Sequence, residues 1–103
     1  MSEVIKIDLP VKEIRAYCET QPILRLSELA PEFEGWLRPD TDIGLMVDYI
    51  PEAVITLLDM AGHEIDLSEI IGMGVSLHTS KGLSRGSLKK YIESARLIYE
   101  KKS

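Results

Sequence analysis

The sequence predicts a small α/β (α+β) domain in which helices flank a three-stranded mixed sheet. Three observations predict this class. Short segments have apolar and polar residues in alternation, which is typical of half-buried strands. Other segments repeat apolar residues every three or four positions, which is typical of amphipathic helices. The two kinds of segment follow one another along the chain in the order helix, strand, turn, strand, long helix, strand, helix.

The length of the chain predicts one domain over residues 1–103, with residues 1–9 as an N-terminal arm. Cys18 is the single cysteine, so no intramolecular disulfide is expected, and we interpret it as a small buried hydrophobic residue. The sequence shows no secretory signal and no apolar run near the ~20 residues of a membrane span. We therefore expect a soluble, cytoplasmic protein with no membrane contact.

The charge is acidic overall and unevenly distributed. The net charge of −5 argues against nucleic-acid binding. Residues 81–103 hold seven basic and two acidic residues, a net of +5, which leaves −10 for residues 1–80. The basic segment has two interpretations. It is a solvated C-terminal helix whose cations suit the helix dipole, or it is a surface that faces an anion or a partner protein.

The first third of the chain predicts a helix and then a strand. Pro10 suits the first turn of a helix and Pro22 is expected to end it. Residues 23–29, ILRLSEL, alternate apolar and polar side chains, so they predict a strand. Residues 30–36, APEFEGW, indicate a short helical turn or a tight loop. The apolar residues of the helix recur at helical spacing and are Val11, Ile14, Tyr17 and Cys18.

A second strand is predicted over residues 42–49, DIGLMVDY. Because successive side chains of a strand point to opposite faces, this strand should have one apolar face and one mixed face. The apolar face holds Ile43, Leu45 and Val47. The mixed face holds Asp42, Gly44, Met46 and Asp48.

The second half predicts a long helix, a short strand and a closing helix. Pro51 and Glu52 are expected to open the long helix, and Gly72 and Gly74 to end it. One side of that helix carries the apolar residues Val54, Leu57, Leu58, Ala61 and Ile65, and Ile70 and Ile71 close it. Residues 75–79 predict the third strand and residues 80–86 a loop. The closing helix should run to Tyr99, with Ser87 as its N-cap and apolar positions Leu88, Tyr91, Ile92, Ala95, Leu97 and Ile98.

The segment LAPEFEGWLRPDTDIGL, residues 29–45, resembles the signature of the minimal nucleotidyltransferases. These are small members of the DNA polymerase β nucleotidyltransferase superfamily, typically encoded beside a HEPN-domain protein as a toxin–antitoxin pair. Their signature is a Phe-Gly-Ser turn, a later Gly, a Pro-Asp-Ser turn and a strand with Asp-x-Asp-Leu. Thr41 replaces the usual Ser. The matching positions are Gly35, Arg38, Pro39, Asp40, Asp42, Ile43 and Leu45.

Two later segments extend the resemblance. Residues 67–83, LSEIIGMGVSLHTSKGL, look like the family's Leu-x-x-Leu-Leu-Gly-x-x-Val-Asp-Leu segment. Residues 92–100, IESARLIYE, resemble its closing helix, with Ala95 and Tyr99 in place. The resemblance covers about residues 10–100 and implies the nucleotidyltransferase fold over the whole domain.

The resemblance also implies that the active site is degenerate. In the family, two carboxylates two residues apart on one strand and a third on the adjacent strand bind the Mg²⁺ ions of phosphoryl transfer. Asp42 occupies the first position, but Gly44 and Ser76 stand where the other two carboxylates would be. The phosphate-binding turn reads Ala30-Pro31 in place of Gly-Ser, and proline has no N–H to donate to a phosphate. The later glycine of that turn, Gly35, is retained.

Other candidate ligands have structural interpretations. Asp42 after Pro-Asp-Thr is typical of a turn residue that bonds a nearby N–H, and as a metal ligand it would be weak. Asp48 is interpreted as a solvated strand residue. His63 and His78 have no partners at the spacing of a zinc site.

These patterns favour a degenerate nucleotidyltransferase-like protein that acts by protein binding, as the antitoxin-like partner of a HEPN-domain toxin. No cofactor is expected for that role, and a homodimer is left open. The alternative is an active enzyme that uses Mg²⁺ and ATP to adenylylate a protein partner. A third hypothesis is a domain kept for an interaction unrelated to toxins.

Overall fold

The computed structural model describes residues 9–29, 43–79 and 96–102. These residues form two helices and one four-stranded sheet, in the order α1 (Val11–Glu19), β1 (Ile23–Glu28), β2 (Ile43–Tyr49), α2 (Leu57–Ile71), β3 (Val75–Thr79) and β4 (Arg96–Glu100). The strand order is β3-β2-β1-β4. β1 pairs antiparallel with β2 and β4, whereas β2 and β3 are parallel, so the sheet is mixed. The predicted fold class is confirmed.

The number of strands differs from the prediction because the end of the expected closing helix is a strand. β4 pairs with β1, and Tyr99 lies opposite Leu26. The register shifts between Leu26 and Ser27, and the consecutive residues Ile98 and Tyr99 are both buried. By periodicity alone a short apolar run fits a buried strand as well as a helix, so the sequence pattern wrongly predicted a helix here. The rest of that predicted helix, with Ser87, lies outside the described residues, as do residues 1–8 of the N-terminal arm and residues 30–36.

α2 begins later than the sequence pattern predicts. Pro51 and Glu52 lie in a turn, and the helix starts at Leu57 after the N-cap Thr56. The backbone N–H of Asp59 donates to Thr56 Oγ1 at 3.1 Å, and the N–H of Thr56 donates to Asp59 Oδ2 at 2.9 Å. This capping box satisfies backbone donors that a helix start leaves unpaired. Hydrogen bonds from the backbone and the side chain of Thr56 lower the pKa of the Asp59 carboxyl.

The other end of α2 is as predicted. Gly72 has a φ of 80°, which only glycine adopts at low cost, and its N–H donates to the carbonyl of Ser68 at 2.8 Å. The chain then enters β3 in parallel with β2, with α2 crossing between the two strands. No described helix is long and apolar enough to cross a membrane.

The core lies between one face of the sheet and the two helices. Ile14 and Cys18 of α1 and Leu67 of α2 are fully buried. They belong to one cluster with the predicted apolar face of β2, which holds Ile43, Leu45 and Val47. Burial raises the pKa of the Cys18 thiol to about 12, so it is protonated at neutral pH. The structure thus confirms that Cys18 is a small buried hydrophobic residue.

The apolar side of α2 indicated by the sequence faces outward. The exposed fractions are 88% for Leu57, 82% for Leu58 and 59% for Ile65, and that of Val54 just before the helix is 88%. The buried residues of α2 are His63 and Leu67. Met60, Ile70 and Ile71 also pack against the core cluster.

Candidate functional site

The face of the sheet opposite the core carries the residues to which the resemblance assigns chemistry. Met46 pairs with His78 of β3 and with Ser27 of β1, so these side chains share that face. We call it the site face, and its residues on β1, β2 and β3 include Arg25, Ser27, Gly44, Met46, Asp48, Ser76 and His78. Ser27, Met46 and Ser76 are buried.

Gly44 and Ser76 lie side by side on the site face. They are paired in the parallel register of β2 and β3. Neighbouring strands are about 4.8 Å apart, so side chains at these two positions project close together on the same face. This is the separation over which carboxylates can share metal ions about 4 Å apart. The remaining candidates, Asp42, Ala30, Pro31 and Gly35, lie outside the described residues.

The Gly44–Ser76 pair provides one hydroxyl group and no charged group. Ser76 is only 2% exposed, and its Oγ lies 2.8 Å from His78 Nε2. A glycine has no ligating side chain, and a buried, hydrogen-bonded serine is a poor ligand for Mg²⁺, which prefers carboxylate oxygens. Among the described residues, no group of three or more His, Cys, Asp or Glu side chains could hold a metal ion.

Side chains of α2 hold β3 in place beside β2. The N–H of Leu77 donates to Glu64 Oε2 at 2.8 Å, and the N–H of Val75 donates to Ser68 Oγ at 3.1 Å. Ser68 Oγ in turn donates to the carbonyl of Glu64 at 2.8 Å. These bonds satisfy backbone donors on both sides of Ser76. Sequence reasoning missed them, because the spacing of Glu64 and Ser68 is ordinary for an exposed helix.

Asp48 belongs to an ion-pair chain across three strands. Its Oδ2 lies 3.6 Å from Arg25 Nη1, and Arg25 Nη2 lies 2.9 Å from Glu100 Oε2. Asp48 is four residues from Gly44, which is about 13 Å along an extended strand. The geometry favours the structural interpretation of Asp48 over a role as a substitute metal ligand.

A hydrogen-bonded histidine joins three elements on the core side of the sheet. The Tyr49 hydroxyl lies 2.8 Å from His63 Nδ1, and His63 Nε2 lies 3.1 Å from Gln21 Oε1. Because the amide oxygen of Gln21 only accepts, Nε2 carries the proton and Nδ1 accepts from Tyr49. Burial, with the nearby charge of Asp59, raises the pKa of Tyr49 to about 12, which keeps that donor protonated. His63 is therefore a satisfied core histidine, and no sequence spacing signals it.

A cleft of about 360 Å³ opens at the far end of β2 from Gly44. Tyr49 and Ile50 line it at the end of β2, and Thr56, Leu57 and Met60 line it where α2 begins. Thr79 lines it from the end of β3. The cleft is separate from the Gly44–Ser76 pair, because its lining residue Asp48 is four positions from Gly44, about 13 Å along an extended strand.

No protein-family model matches this sequence, and no curated protein sequence matches it. Solved structures do. A candidate minimal nucleotidyltransferase has a TM-score of 0.63 and 24% identity over 82% of this chain and 85% of its own. A toxin–antitoxin crystal structure with AMP-PNP has a TM-score of 0.64 and 10% identity over 91% of this chain and 76% of its own.

A third similar structure is a variant of the toxin–antitoxin pair MntA–HpeT with two Asp-to-Glu substitutions. Its TM-score is 0.65 at 8% identity, over 91% of this chain and 75% of the other. Identities this low establish a common architecture and nothing finer. This chain therefore has the nucleotidyltransferase fold that its sequence resemblance implies.

Proposed function

We propose that this chain is a catalytically degenerate nucleotidyltransferase-fold protein that acts by binding another protein. One observation carries the proposal. Gly44 and Ser76, which replace two of the family's three carboxylates, are paired in register on adjacent strands. Two-metal phosphoryl transfer requires carboxylates that converge in this way. Here one position has no side chain and the other has a buried hydroxyl bonded to His78.

The partner that we propose is a HEPN-domain toxin, with this chain as the antitoxin-like member of the pair. Two of the similar solved structures are of toxin–antitoxin pairs, which supports this role. In one of them the two substituted aspartates are two residues apart, which is the separation of Asp42 and Gly44 here. An antitoxin that works by contact needs a stable shape and a complementary surface, and it needs no turnover.

The second candidate function is an active enzyme that transfers adenylate from ATP to a protein partner. The retention of Asp42 favours it, because one carboxylate together with substrate phosphates can hold Mg²⁺. One similar structure contains AMP-PNP, an ATP analogue. This candidate requires ligands in addition to Asp42.

A transfer assay separates the two candidates. The purified chain is incubated with ATP labelled at the α-phosphate and with Mg²⁺ or Mn²⁺, alone and with a HEPN-domain protein as the proposed partner. We expect no labelled protein in either reaction. Metal-dependent labelling that disappears in the Asp42→Ala variant would establish the enzyme and refute the degenerate site.

Restoring the carboxylates tests the assignment of the site. Gly44→Asp with Ser76→Asp places two carboxylates next to each other, and they repel one another without metal. Added Mg²⁺ or Mn²⁺ should bind only the folded form and raise its Tm. At a metal concentration one hundred times Kd, the free energy of unfolding should rise by about 2.7 kcal/mol. The matched control is Gly44→Asn with Ser76→Asn, which has nearly the same volume and no charge. If the Asp variant stays folded and its Tm does not change when metal is added, positions 44 and 76 do not form a metal site.

A further inference from the structure

The apolar side of α2 is exposed to an unusual degree. Val54 and Leu57 are each 88% exposed, Leu58 is 82% and Ile65 is 59% exposed. Positions 57, 58, 61 and 65 lie on one side of a helix, so these residues are neighbours and not scattered. We call Leu57, Leu58 and Ile65 of α2, together with Val54 just before the helix, the outer face of α2. Single exposed apolar residues are common on surfaces, but a contiguous set marks a binding surface.

The outer face continues into a concave surface. Leu57 belongs to the outer face and also lines the cleft of about 360 Å³ at the start of α2. Ile50, Ile55 and Met60 contribute apolar walls to that cleft. A helix laid along a groove anchors itself through side chains that enter such a cavity. Two exposed leucines beside a cleft with both apolar and polar walls suit one face of an amphipathic helix.

The charges near the outer face indicate which kind of helix it would bind. Residues 43–79 contain no lysine or arginine and six acidic residues, which are Asp48, Glu52, Asp59, Glu64, Asp66 and Glu69. Glu52, Asp59, Asp66 and Glu69 are exposed around the outer face. A second copy of this surface would bring acid against acid, and a nucleic acid or an anionic membrane would be repelled. The complementary partner carries positive charge.

We infer that the outer face of α2 and its cleft bind an amphipathic helix of a partner protein, with lysine or arginine on both sides of its apolar stripe. The inference rests on the proposed function only in that this chain acts by protein binding. The outer face belongs to a helix on the core side of the sheet, whereas Gly44 and Ser76 belong to the site face. Docking therefore does not depend on the chemistry of the degenerate site.

A synthetic peptide tests the surface without knowledge of the natural partner. The probe is a helix of about 18 residues, long enough to span α2, with leucine at helical spacing and lysine on both sides. The matched peptide replaces every lysine with glutamate. We expect the lysine peptide to bind, its affinity to fall with salt, and the glutamate peptide to bind at least tenfold more weakly. Equal binding of the two peptides would overturn the charge argument.

Variants locate the binding on this chain. Leu57→Ser with Leu58→Ser should weaken binding of the lysine peptide at least tenfold. Leucines that become buried in a complex contribute strongly to helix-in-groove binding. Leu97→Ser is the matched control, since Leu97 is a half-exposed leucine on β4 at the opposite edge of the sheet. That control should leave affinity unchanged. Melting curves establish that both variants remain folded. Unchanged affinity in the Leu57/Leu58 variant, or an equal loss in the control, would overturn the inference.

The same variants separate this inference from the proposed function. If the proposed HEPN-domain partner binds the original and the Leu57/Leu58 variant equally, the docking surface is wrong and the proposed function stands. If it binds neither while the lysine peptide binds through the outer face, the surface stands and that partner is wrong. A dimer in sedimentation that the Leu57/Leu58 variant loses would identify a second copy as the occupant and overturn the basic helix.

Discussion

The two sides of α2 reverse the usual arrangement of a surface helix. The inner side buries a histidine, His63, beside Leu67, whereas the outer side exposes Leu57, Leu58 and Ile65. His63 can be buried at little cost because both of its ring nitrogens have partners. Each exposed leucine forgoes about 1.5–3 kcal/mol that burial would contribute. Hydrogen-bond partners and neighbouring elements, as well as apolarity, therefore determine which side of a helix faces the core.

Paired truncations on the two sides of α2 give the largest expected difference. Leu67→Ala removes a fully buried side chain and should lower the free energy of unfolding by about 2–5 kcal/mol. Leu58→Ala makes the same chemical change at an 82% exposed position and should change it by less than about 0.5 kcal/mol. Urea unfolding of the two variants measures both values. Equal losses would show that the outer side is covered in the isolated protein.

The histidine network gives the next largest effect. His63→Leu removes the acceptor of the Tyr49 hydroxyl and the donor to Gln21, and should cost about 1–3 kcal/mol. Adding Tyr49→Phe should recover part of that loss, because the hydroxyl left without its partner is removed as well. A double-mutant cycle by denaturant unfolding measures this coupling. Strictly additive losses would mean that the 2.8 Å contact contributes nothing to stability.

The capping box should contribute less than the network. Thr56→Ala removes the side-chain acceptor for the N–H of Asp59 and should cost about 1 kcal/mol. Thr56→Ser keeps the hydroxyl and is the matched control, with little expected loss. Thermal melts of the two variants provide the test. A melt of Thr56→Ala that overlays the original would show that α2 does not need this cap.

The last expected effect appears only at alkaline pH, where stability should fall. The pKa of Tyr49 is raised from 10.0 to about 12 in the folded state, so the folded form holds this proton more tightly than the unfolded form. That stabilisation is complete below pH 10 and is lost as the pH rises to about 12. The burial of Cys18 acts in the same direction from pH 9 upward. Tyr49→Phe should flatten the decline of Tm between pH 10 and 12, and an unchanged slope would contradict this origin.

Residues close in sequence determined several elements without help from the rest of the fold. Alternation with a period of two places β1 and β2, and Pro22 separates α1 from β1. Gly72 ends α2, because its left-handed backbone angle favours glycine over every other residue. The apolar face of β2 was also predictable, because side chains on a strand alternate whatever surrounds them. The positions to which the resemblance assigns carboxylates, Gly44 and Ser76, could be named only through that resemblance to a family.

The other features of the fold depend on contacts between residues that are far apart in sequence. Arg96–Glu100 is a strand because β1 offers its free edge, and a segment of five residues cannot choose between helix and strand alone. Gly44 and Ser76 are neighbours because α2 returns the chain parallel to β2, and 31 intervening residues carry no local signal of that pairing. His63 of α2 is buried with its ring nitrogens satisfied because Gln21 and Tyr49 reach it from other elements. Periodicity describes how apolar residues are spaced along one element. Burial also depends on which residues from other elements pack against it.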